Sequence, residues 1–74
     1  MKKKDVKKLK EGLIVRGRTK QAMSLPMQGV SFSAGESVDV IPYRPGGSIV
    51  VVTSTLDSKK RVEMSLYQVE QFIS

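Results

Sequence analysis

The chain has 74 residues, 39% apolar and 27% charged, with no Cys, no His and a formal net charge of +6. That length suits one domain with a thin core, burying only about 60% of the surface its unfolded chain exposes. Without Cys or His there is no disulfide, no Cys/His zinc centre, no thiol nucleophile and no imidazole general base.

Charge is concentrated at one end. Residues 1–20 hold nine basic groups (Lys2, Lys3, Lys4, Lys7, Lys8, Lys10, Arg16, Arg18, Lys20) against Asp5 and Glu11, a balance of +7. Residues 21–74 hold four basic groups and five acidic ones, a balance of −1. A basic arm on a near-neutral body points to an anionic partner: nucleic acid, an acidic protein surface or a membrane surface. Within residues 1–11, Asp5 is placed to cap a short helix, Val6 and Leu9 share a face with Leu13, and Gly12 is placed to end it. Two turns of helix are marginal alone in water, so this arm is either a solvated tail or a helix docked on the body. The run Leu13-Ile14-Val15 is too short for the ~7–15 apolar residues of an export leader. No stretch reaches the ~18–20 of a membrane span, and a soluble cytoplasmic protein is expected.

Residues 13–19 read as a first strand, with Leu13 and Val15 on one face, Ile14 on the other, and Arg16 and Arg18 projecting together. Residues 20–34 show no clean period. They carry Met23, Leu25, Met27 and Phe32 around Pro26 and Gly29, as in a folded-back or binding loop. Val38 and Val40 alternate as in a half-buried strand, and Pro42-Tyr43-Arg44-Pro45-Gly46-Gly47 is turn chemistry. Ile49-Val50-Val51-Val52-Thr53 is a β-branched run suited to burial on both faces. After a turn over Leu56–Lys60, Val62 and Met64 alternate again, which completes a three-stranded antiparallel meander. In the last stretch, Ser65 and Gln68 fit a capping box and Leu66, Val69 and Phe72 recur at helical spacing, whereas Val69–Ile73 also reads as a short closing strand.

From about residue 30 the order of features resembles an SH3-like barrel. Val30-Ser31-Phe32 and Gly35-Glu36 precede the alternating strand Val38-Asp39-Val40-Ile41, two strands follow across short turns, and Ser65-x-Tyr67-x-Val69-Glu70-x-x-Ile73 closes the chain. The resemblance implies a mainly β fold: a small five-stranded antiparallel barrel over residues 12–74, preceded by a basic arm over 1–11, with a 3₁₀ or short helical turn near the C-terminus. Proline-peptide recognition of the SH3 kind is disfavoured, because the chain has no Trp and Leu13–Gly17 stands where the family's Tyr-rich first-strand motif would be. SH3-like barrels also serve as nucleic-acid and ribosome-associated modules and as small phage proteins, and a chain of this size beginning with Met suits a phage or plasmid regulator.

Catalysis is not expected: the serines lie in turns and strands, the acids form no paired motif, and Pro45-Gly46-Gly47-Ser48 lacks the Lys of a phosphate loop. No metal and no cofactor is expected. The expected function is a non-enzymatic nucleic-acid-binding accessory or regulatory protein whose lysines neutralise phosphates, with Arg16, Arg18, Lys20, Lys59-Lys60-Arg61 on one turn and Arg44 beside Tyr43 on another as further contacts. Lys outnumbers Arg, so backbone contact is favoured over base readout. The alternative is a protein-binding regulator or inhibitor that docks through Met23, Leu25, Met27, Tyr43 and Tyr67 or through a sheet edge.

Overall fold

The computed structural model describes residues 1–44 and 46–74; the turn expectation for Pro45 lies outside the described residues. The alternating valines form the sheet as expected. Strands β4 (Ser37–Pro42), β5 (Ile49–Ser54) and β6 (Arg61–Ser65) make an antiparallel meander, and β1 (Val15–Arg18) pairs antiparallel with β4. The register sets Val15, Val40, Val52 and Val62 in one row across the four strands, all buried on the inner face. The outer edge of β1 is covered by the chain's own last residues. Arg18 and Ser74 exchange backbone hydrogen bonds (3.3 and 2.8 Å) and the Lys20 amide donates to the Phe72 carbonyl (2.7 Å). Gly17 permits this close approach, since a Cβ there would sit 2.6 Å from the Ser74 carbonyl oxygen.

The strands pair as a four-stranded and a two-stranded sheet, and no closed barrel is found among the described residues. The smaller sheet lies in the segment without a period. There β2 (Met23–Leu25) and β3 (Val30–Phe32) flank a 3₁₀ turn at Pro26–Gln28, with Gly29 left-handed at its end (φ 65°). Thr19, only 2% exposed, ties the base of this excursion: its hydroxyl donates to the Ser33 carbonyl and accepts from the Glu36 amide (3.0 Å), and its carbonyl accepts from the Gly35 amide (2.8 Å).

Two helices complete the body. Helix α2 (Leu66–Phe72) begins in a reciprocal capping box: the Gln68 amide donates to the Ser65 hydroxyl (3.1 Å) and the Ser65 amide donates to the Gln68 side chain (3.0 Å). The closing-strand reading of Val69–Ile73 is corrected: the capping box carries the helix through Phe72, and Ile73 alone leaves it extended and bridges Thr19. Helix α1 (Lys3–Lys10) is docked: Leu9 is 1% exposed within the core cluster, and Met1 and Val6 are partly buried. It ends in a Schellman arrangement on Gly12 (φ 90°), with the Gly12 amide donating to the Leu9 carbonyl (3.1 Å) and the Leu13 amide to the Lys8 carbonyl (2.9 Å). That turn carries Leu13 out to solvent, 50% exposed, away from the face it was expected to share with Leu9.

Candidate nucleic-acid interface

Docking of Leu9 fixes which way the lysines of α1 face. Lys3, Lys7 and Lys10 follow one another at helical spacing beside Val6, and with Glu70 of α2 they line a shallow hollow of about 320 Å³. Lys4 and Lys8 emerge on the other flank, and Lys2 precedes the helix; all are exposed. Lys20 joins the first group from the far side, its Nζ donating to the Glu70 carbonyl at 3.3 Å. That carbonyl lies in the last turn of α2, where a cation complements the helix dipole. Four cations from two distant stretches thus gather around the end of α2. Neither of the two ion pairs among the described residues uses an α1 lysine.

The other basic residues divide. Arg16 and Arg18 lie on the outer face of β1, as expected. Arg16 is paired with Asp39 (Nε to Oδ1, 2.9 Å), which raises its pKa further above the ordinary arginine value, first through this hydrogen bond and then through the carboxylate's charge. Arg18 donates to the Gly35 carbonyl (3.0 Å). Arg61 falls in the same cross-strand row as Arg16, through Asp39 and Thr53, and is exposed. Leu9 belongs to the inner-face core, so these arginines stand on the opposite side of the sheet from the α1 group. Lys59 is exposed on its turn, and Arg44 lies 6.0 Å from the Tyr43 ring.

Lys60 is engaged within the fold rather than offered at a basic turn. Its Nζ donates to both carboxylate oxygens of Glu36 (3.1 and 3.0 Å) and lies 5.2 Å from the Phe32 ring. Sequence distance hid this pairing, because 24 residues separate the partners.

The alternative contact set is split as well. Met23 is a core residue, 7% exposed, because its strand packs inward, and Leu25 is partly buried against the same cluster. Met27, Tyr43 and Tyr67 are exposed at 98%, 59% and 72%. Met23 and Leu25 instead form the floor of a hollow of about 270 Å³ between β2 and the β6–α2 corner. It shares Glu63, Met64 and Gln68 with a neighbouring hollow of about 400 Å³ bounded by Tyr43 and Ile49, so the two make one groove. Sequence reasoning missed Gln68, Met64 and Ile49 in this groove. The capping box at Ser65 was the available signal, since it places Gln68 at the corner. No helix among the described residues is long and apolar enough to cross a membrane. No protein-family model, curated protein or solved structure matches the chain.

Proposed function

We propose that this chain is a small non-enzymatic nucleic-acid-binding accessory or regulatory protein of the cytoplasm, with α1 as its phosphate-contacting element. One observation carries the reading: the lysines of α1 are held outward on a helix anchored by Leu9, and Lys3, Lys7 and Lys10 line one hollow beside Glu70, whose carbonyl Lys20 reaches from the other side. A docked helix presents its charges without the ordering cost that a solvated tail meets on binding. Lysines act as point charges, so the contact is with backbone phosphates, driven by counterion release and weakly selective for sequence. We also read the body as an SH3-like small barrel. The long excursion between β1 and β4, the meander β4–β6 and the helical turn before a closing segment on β1 support it.

The test is fluorescence anisotropy with duplex DNA, single-stranded DNA and RNA at two salt concentrations. The full chain is compared with a variant carrying Lys3→Gln, Lys7→Gln and Lys10→Gln. Substitution is preferable to removing the helix, because Leu9 is part of the core. Salt-steep binding that falls at least about tenfold in the variant supports the reading. Equal binding by both chains sinks it.

The groove between β2 and the β6–α2 corner favours a second reading, a protein-binding regulator that accepts an extended peptide against the β6 edge. β6 has no strand partner beyond β5 among the described residues. Under this reading a Gln68→Arg substitution abolishes partner capture and leaves nucleic-acid affinity unreduced.

A further inference from the structure

Helix α1 offers its charge over a wide arc rather than along one stripe. At the α-helical repeat, Lys10, Lys3, Lys7, Lys4 and Lys8 follow one another around it over about 160°. All five are exposed, while Leu9 points into the core with Asp5 and Val6 partly buried on either side of it. The last turn is tied to the body, because the Gly46 amide donates to the Lys10 carbonyl (2.9 Å). The lysines therefore radiate from a fixed, convex surface.

Glu11, also exposed, falls between Lys7 and Lys4 at the middle of this arc. Against a single row of phosphates, a carboxylate in that position faces the same charge that the lysines attract. Inside a duplex groove the conflict disappears. The middle of the arc then faces base edges, among them the cytosine amino donor, and the two flanks reach sideways to two phosphate rows.

We propose that the partner is double-stranded DNA and that α1 lies in its major groove, with Lys3 and Lys10 on the phosphates of one strand and Lys4 and Lys8 on those of the other. The assignment rests on the phosphate-binding reading of α1, to which it adds the form of nucleic acid and the groove. A helix with its side chains is about 10–12 Å across and the B-DNA major groove is about 12 Å wide, so each flank meets one row. The minor groove, at about 6 Å, is too narrow for a helix, and the major groove of duplex RNA is narrow and deep. Single strands are held largely by stacking on aromatic rings. α1 carries none, and the exposed Tyr43 and Tyr67 belong to the end of β4 and to α2.

The test is anisotropy with one sequence presented as duplex DNA, duplex RNA and single-stranded DNA. The full chain is expected to bind duplex DNA at least about tenfold more tightly than the other two at the same salt. Lys4→Gln together with Lys8→Gln removes the second flank and lowers the slope of log affinity against log salt on duplex DNA by roughly 2 units. Methyl green, which fills the major groove, displaces the chain, and the minor-groove ligand netropsin does not. Equal affinity for the three nucleic acids overturns the proposal, as does displacement by netropsin alone. So does a Lys4/Lys8 variant that binds like the parent while the Lys3/Lys7/Lys10 variant fails, a result that leaves the phosphate-binding reading standing. Absence of binding to all three overturns both. Circular dichroism of each variant confirms that the fold is intact.

Discussion

Glu36 is held by donors from two directions. The Ser33 amide reaches one carboxylate oxygen at 3.0 Å, and Lys60 Nζ reaches both at 3.1 and 3.0 Å. The Ser33 hydrogen bond, aided by Lys60 and opposed by burial, holds the carboxyl below its ordinary value of about 4.5. The unfolded chain therefore takes up this proton at a higher pH than the folded one does. The stabilisation is complete above about pH 4.5 and is lost as pH falls through the depressed folded value. Thermal melts followed by circular dichroism should show a midpoint that drops on the acid side. In Glu36→Gln that drop is shallower, with a loss of about 1 kcal/mol at neutral pH. An unchanged acid slope in the variant would refute this role. Gly17 gives a second test at this scale, because an added Cβ meets the Ser74 carbonyl oxygen at 2.6 Å and Ile73 Cγ2 at 2.7 Å. Gly17→Ala is expected to lower stability in urea by about 1–3 kcal/mol, with hydrogen exchange at Ser74 faster than in the parent chain.

At the scale of elements, Leu9 is the one fully buried side chain of α1, with Met1 and Val6 partly buried beside it. Leu9→Ala is expected to cost about 2–4 kcal/mol and to strip hydrogen-exchange protection from residues 6–10 before the sheet loses any. Undiminished protection there would mean that Val6 and Met1 suffice. How far each element could be read from the sequence follows how local its causes are. The β4–β6 meander was legible because each strand alternates by itself; α2 was legible only in its cap, which Ser65 and Gln68 carry within four residues, while Val69–Ile73 read equally as a strand. The hairpin β2–β3 was not, since three-residue strands around Pro26 and Gly29 show no period and are held by Thr19 and Glu36 from outside. The lysines were legible as charge. Their grouping with Lys20 was not, because it depends on α1 and the end of α2 meeting in space, and the capture of Lys60 depends on Glu36 in the same way.

For the whole molecule, the proposed phosphate contacts are read from the response to salt. Phosphate binding weakens with added salt as counterions lose their entropy of release. In the logarithm of affinity against the logarithm of salt, each lysine–phosphate contact adds about 0.9 to the slope on duplex DNA. The variant with Lys3, Lys7 and Lys10 changed to Gln is thus expected to lose roughly 2–3 units of slope, read by anisotropy titrations at four salt concentrations. A slope unchanged by three lost charges would place the contact elsewhere on the molecule. The Thr19 tether bears on engineering. An excursion bonded shut at its base is insulated from what happens at its tip, and Met27 at that tip is 98% exposed. Closing a longer loop costs only a logarithmic increment of entropy. The peptide bond between Met27 and Gln28 is accordingly a natural splice point, where an epitope or fluorophore-binding tag can ride on the protein while the sheet and α1 keep their places.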